Sequence, residues 1–328
     1  MATSKAQKRL SILAALSAIL VWAVPAGASH VLCGDTLTTD TVLDSSLLDC
    51  PGNGLIIGAD NITVELNGNV VKGADAPGSV GIQISNRIGV TVKGPGVVER
   101  FEGGIDITGG GQNTVKDVTV ANNKLLSCLP VIPPGPRGIQ IRNSANNRIK
   151  GNAVVNNCRG IVVVGPDSQG NSVRENSSTL NFFFGILVRN GPHNNEIKSN
   201  TLTGNTGPGV SLAQNVSENE VAENFIHSNS LGITLQGNAD RNRVKENVIT
   251  NNGALGVRLG FDGPPFPVVS DNNENEIREN VIGNQTTGIF IQDASDDGNV
   301  IKENTFFNTP TPISDAGTGT VIGDNVSD

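Results

Sequence analysis

Between Gly185 and Asn252 one pattern is written three times. Gly185-Ile186-Leu187-Val188 is followed by Asn195, Asn200 and Asn205. Gly209-Val210-Ser211-Leu212 is followed by Asn219, Asn224 and Asn229, and Gly232-Ile233-Thr234-Leu235 by Asn242, Asn247 and Asn252. The repeat length, 24 and then 23 residues, is that of a stacked solenoid unit. Each unit opens on a short apolar alternation, the mark of a strand with one buried face. Two shorter pieces follow, each a strand ended by Asn, a residue expected there because it enters the left-handed region more cheaply than most. Three strands and three corners per period describe one coil of a three-faced parallel β-helix, with coils stacked ~4.8 Å apart. A single coil cannot bury its apolar edge, so its neighbours supply the core.

The pattern extends well past three coils. Glycine openings recur from Gly54 to Gly288, and a middle column reads Asn152, Asn176, Asn200, Asn224, Asn247, Asn280 and Asn304. Each has a second Asn five residues earlier, from Asn147 to Asn299. Stacked amides of this kind bond to one another along the column. A buried amide left unpaired costs ~1–3 kcal/mol, which ties the column to one register. The expected class is all-β: one solenoid of about ten coils over residues 54–308, an N-terminal cap at 29–53 and a C-terminal cap or tail at 309–328.

Residues 1–28 read as a signal peptide. Lys5, Lys8 and Arg9 precede the apolar run Leu10–Val24, and Ala26-Gly27-Ala28 supplies a small-residue cleavage site. A secreted, extracellular or periplasmic chain follows, with no membrane insertion after cleavage. Loss of the three cations takes the formal charge from -8 to -11, which disfavours nucleic acid and anionic membrane surfaces. All four cysteines lie in the exported part, where an even count reads as disulfides. Chain order suggests Cys33 with Cys50 and Cys128 with Cys158. A metal site is the rival reading, although the spacing fits no zinc pattern.

The opening Cys33-Gly34-Asp35-Thr36, continued by Cys50-Pro51-Gly52-Asn53-Gly54 and the Asn-rich repeats behind it, resembles the right-handed parallel β-helix proteins of the pectin-lyase-like superfamily. The resemblance is to the NosD-type, or carbohydrate-binding and sugar-hydrolase, repeats, and covers about residues 33–308. It implies a right-handed solenoid. It leaves activity open, because that superfamily holds lyases, hydrolases, epimerases, binding modules and structural proteins. NosD-type relatives are linked to copper, and His30, near the new N-terminus, is the residue that link would touch.

Two long insertions interrupt the period, Lys124–Arg137 and Gly260–Glu274, and both adjoin the glycine-led strand. Insertions in repeat proteins collect on the binding face. The outward positions of that strand carry one acid, Asp106, and three arginines, Arg142, Arg189 and Arg258, with Asp262 just beyond a strand end. These five are the candidate substrate-binding residues. A glycosidase needs two carboxylates ~5–9.5 Å apart, and the face lacks them. A β-eliminating lyase needs a base such as Arg and a cation such as Ca²⁺. Ca²⁺ takes 6–8 oxygens, and no dense acid cluster supplies them. The clustered Asp motifs and Gly-His-Gly of superfamily hydrolases, and the Tyr and Asp-Pro-His-Glu run of alginate-type epimerases, are absent too. A further row, Glu175, Glu223, Glu246, Glu279 and Glu303, precedes ladder asparagines and reads as a solvated face of mixed charge. Two functions therefore stand: a non-catalytic polysaccharide-binding or surface module, expected to be monomeric, or a polyuronate lyase-like enzyme.

Overall fold

The computed structural model describes residues 30–124, 128, 135–260 and 271–328. The leader reading for 1–28 and the candidate Asp262 lie outside the described residues. The described chain is all-β and winds through three sheets of twelve strands each. The first sheet begins Asp35–Leu37, Leu55–Ile57, Val80–Ser85; the second Thr41–Val42, Thr63–Glu65; the third Leu47–Cys50, Val70–Gly73. Every third strand pairs in parallel with its equivalent one coil on, as Ile161 with Ile186, Ile186 with Val210 and Val210 with Ile233. The architecture is a three-faced β-helix of about eleven turns. The count exceeds ten because the two terminal segments contribute strands to the same sheets, Asp35–Cys50 at one end and Thr311–Ser327 at the other.

The inward residues are Ile, Val and Leu, and from Leu43 to Phe306 they form one continuous core. The opening glycines face inward where the coil bends most tightly. A Cβ on Gly160 would sit 2.2 Å from the Gly185 carbonyl oxygen, and one on Gly185 2.6 Å from that of Gly209. Only a residue without a side chain fits there. Disulfides join Cys33 to Cys50 and Cys128 to Cys158.

Three columns of buried asparagine line the corners. Asn200 shows the pattern. Its Oδ1 accepts from the backbone N–H and the Nδ2 of Asn176, at 2.9 and 3.0 Å. Its own Nδ2 donates to Asn224 Oδ1 at 3.0 Å and to the Val173 carbonyl at 2.9 Å. Each amide thus uses all its hydrogen-bonding capacity, which buried polar groups require. The same bonds recur from Asn152 through Asn176, Asn224, Asn247 and Asn280 to Asn304. Nearer the N-terminus the corners are closed by apolar residues instead, among them Leu66, Phe101 and Val118, all buried.

One expectation is corrected. The ladder asparagines do not take the left-handed conformation. The residue just before each one does: Glu175 at φ 56°, Ser199 at 54°, Glu223 at 55°, Glu246 at 55°. The tight bend is made at an exposed or half-exposed position, and the Asn that follows turns inward to bond. Left-handed φ costs a side-chain-bearing residue ~1–2 kcal/mol, and the saturated amides behind it offset that cost.

At one corner the ladder residue is an acid. Asp296 is fully buried, and its Oδ1 accepts from the Asn272 N–H and Nδ2 at 3.0 and 2.8 Å, as an amide oxygen would. Its Oδ2 is buried and meets no donor. Burial, with a smaller push from Asp293 and against the Asn272 bonds, raises its pKa to about 6. A folded-state pKa above the ordinary ~3.9 means that the native state holds this proton more tightly than the unfolded chain. The buried charge then costs nothing below pH ~4, costs progressively more between ~4 and ~6, and costs in full above that. Asp296→Asn should raise stability by about 2–3 kcal/mol at pH 8 and leave it unchanged at pH 4, read by urea titration at both pH values.

Candidate functional site

Residues between the core positions of the first sheet point away from the interior. One outward column runs Asp106, Gln140, Val162, Leu187, Ser211, Thr234, Arg258 and Phe290, in register. The next runs Thr108, Arg142, Val164, Arg189, Ala213 and Gln236. Arg142 and Arg189 therefore stand in one column, two coils apart, on the order of 10 Å. Between and beside them Val162, Val164 and Leu187 form a small apolar cluster, separate from the main core, against which Phe184 packs.

Around this apolar floor the chain gathers cations. Gln140, Arg142, Arg159, Val162, Val164, Leu187, Arg189 and Asn190 line one shallow hollow of about 50 Å³. Arg142 Nη2 donates to Gln140 Oε1 at 3.2 Å. Arg159 is buried, with its guanidinium 5.8 Å from the centre of the Phe183 ring. Burial, then repulsion from Arg189 and Arg137, pushes its pKa down to about 10. Burial and the charge of Arg142 also lower that of Arg189, whose Nε is buried without an acceptor. No carboxylate lines the hollow. Guanidiniums that repel one another over an apolar base favour an anion between them, because an anion offsets the repulsion and supplies the missing acceptor.

Asp106 stands one coil before Gln140, and it is not available for chemistry. It is buried against Arg137, whose Nε donates to Oδ1 at 3.0 Å while Nη2 engages Oδ2. Arg137 is held in turn by the Gly135 carbonyl at 2.9 Å. A carboxylate with both oxygens on one buried guanidinium has its charge balanced locally, which weakens its pull on a further cation. Arg258 lies three coils beyond Leu187 in its column, roughly 14 Å away, and pairs with Gln292. The face thus brings Arg142 and Arg189 together, locks Asp106 away and leaves Arg258 apart. Counting outward positions after each glycine overlooked Arg137 and Arg159. The signal was present: both stand immediately before the glycine, in Arg137-Gly138-Ile139 and Arg159-Gly160-Ile161.

Removing one member of a buried ion pair strands the other charge. Asp106→Ala should lower stability by about 3 kcal/mol in chemical denaturation, whereas Asp106→Ala with Arg137→Met should recover most of that loss.

A family model described as periplasmic copper-binding protein (NosD) matches residues 131–262. No curated protein matches by sequence. Among solved structures, a double mutant of the periplasmic alginate epimerase AlgG aligns at 16% identity over 89% of this chain and 78% of its own, with a TM-score of 0.56. The A-module of the mannuronan C-5 epimerase AlgE4 of Azotobacter vinelandii aligns at 18% over 90% and 92%, with a TM-score of 0.58. A tailspike mutant of the E. coli bacteriophage HK620, in complex with a hexasaccharide, aligns at 12% over 89% of this chain, with a TM-score of 0.59; the chain spans 58% of that tailspike. At these identities the likeness is one of fold. The copper in the family description finds no matching donor set among the described residues: no three His, Cys, Asp or Glu converge, and all four cysteines are in disulfides. The solenoid, its parallel register and these structural neighbours together show that the chain has the right-handed parallel β-helix fold.

Proposed function

We propose that this protein is an exported, non-catalytic β-helix module that binds acidic polysaccharide on the outer face of its first sheet. The observation that carries the reading is the Arg142, Arg159 and Arg189 cluster over the Val162, Val164 and Leu187 floor. Guanidinium forks match carboxylate and sulfate geometry, and an apolar floor suits the C–H face of a sugar ring. Export rests on the leader at 1–28 and on two disulfides, which persist in oxidising compartments. The alginate epimerases and the hexasaccharide-bound tailspike that share the fold agree with a polysaccharide ligand. Against catalysis stands the pairing of Asp106 to Arg137, with no carboxylate among the described residues that line the hollow.

A polyuronate lyase is the second reading, favoured by one observation: the pKa of Arg159 is pushed down to about 10, in the direction a general base requires. One experiment separates the two. Polygalacturonate and alginate are incubated with the protein and Ca²⁺; binding is followed calorimetrically and unsaturated product by ultraviolet absorbance. Binding without absorbance is expected, and Arg189→Ala should weaken it about tenfold, the loss of one charge-assisted hydrogen bond. Absorbance that grows with time would establish the lyase. Equal affinity for a neutral glucan would remove the site.

A further inference from the structure

The second sheet carries a different arrangement of charge. One outward column reads Lys93, Lys116, Lys150, Arg174 and Lys198 on five successive coils, and resumes after Ala222 with Lys245, Arg278 and Lys302. Like charges stacked at strand spacing repel, so a column of this kind needs compensation. From Arg174 to Arg278 the chain supplies it. Arg174 pairs with Glu196, Lys198 with Glu223, Lys245 with Glu220, and Arg278 with Glu276 and Glu279.

On the earlier coils the acids are fewer. The neighbouring column, which later holds Glu196 and Glu220, holds Thr91, Thr114 and Arg148. The corner row of glutamates starts at Glu175, and on the two coils before it the equivalent corner holds Asp117 and then Gly151. Lys93 and Lys150 find partners at the two ends of this stretch, Glu65 at 2.6 Å and Glu175 at 3.1 Å. Between them Lys116 and Arg148 form no ion pair with any described residue. They line a groove of about 460 Å³ with Thr91, Thr114, Asp117 and Lys150.

We propose that this groove is a second polyanion site, which takes a linear acidic polysaccharide lying along the solenoid axis. Cations on successive coils stand about 4.8 Å apart, a step that suits a chain bearing an anionic group on each unit. The threonine hydroxyls offer hydrogen bonds to sugar hydroxyls. Nucleic acid fits less well: no aromatic side chain lines the groove for base stacking. The site lies on a different sheet from the arginine cluster and stands or falls independently of it.

The test uses the whole mature chain, with polygalacturonate and chondroitin sulfate oligosaccharides as probes and single-stranded DNA of matched charge as the competitor. Affinities are measured by calorimetry at 50 and 200 mM salt. Lys116→Glu with Arg148→Glu should weaken glycan binding at least tenfold and flatten its salt dependence. The charge-matched pair Lys245→Glu with Arg243→Glu, on compensated coils, should change it less than twofold. Lys116→Gln with Arg148→Gln repeats the measurement without new charge and should give the same direction. Arg189→Ala is added to the Glu pair: a further loss shows two separate sites, whereas no further loss puts all glycan binding on the second sheet and overturns only the first-sheet reading. Equal losses from both Glu pairs, no loss from the Gln pair, or tighter binding of DNA than of either glycan would overturn the proposal.

Discussion

A parallel solenoid has no long-range topology to fix its register, because each coil touches only its neighbours. The saturated asparagine amide supplies that constraint here. Each ladder side chain closes its own corner, accepts the N–H of the corner before it and donates to a carbonyl of the preceding coil, as Asn200 does between Asn176, Val173 and Asn224. A slip of one residue would leave these groups buried and unpaired in coil after coil. The apolar core alone would not resist such a slip as sharply, since Ile, Val and Leu exchange with one another at small cost.

That rigidity shapes where function can reside. With corners and interior committed to the stack, only the outward columns of the sheets and the insertions are free to vary. The first sheet uses its outward columns to seat an apolar cluster beneath arginines, and the acid of those columns, Asp106, locks Arg137. The second sheet balances cations against acids over most of its length and leaves one stretch unbalanced. Both are surface patterns repeated at coil spacing, and a ligand with its own regular repeat is the natural complement to them.

Much of this was legible in the sequence. The Gly-led openings and the paired asparagines gave the solenoid, its period and the contact of Asn200 with Asn224, because each coil repeats the same local demands. Chain order alone suggested both cysteine pairings. The corner conformation was misplaced by one residue: propensity assigns left-handed φ to Asn, but the buried hydrogen bonds of the stack need the Asn side chain turned inward, which moves the strained φ onto Glu175 or Ser199. The site was only partly visible. Arg142 and Arg189 share a column, and their spacing followed from the period. Arg137 and Arg159 approach from the bend before the glycine, where strand alternation breaks, so a periodic count passes over them. The pairing of Asp106 was hidden for the same reason.

The central claim is that amide saturation, more than apolar burial, holds the coils in place. Asn200→Leu tests it most directly, since leucine has nearly the same size and adds apolar surface. It removes the acceptor of the Asn176 N–H and Nδ2 and the donor to the Val173 carbonyl. At ~1–3 kcal/mol for each group left buried and unpaired, urea denaturation should show a loss of at least about 3 kcal/mol. A change below about 0.5 kcal/mol, the scale of an ordinary surface substitution, would contradict the account and assign register to the apolar core.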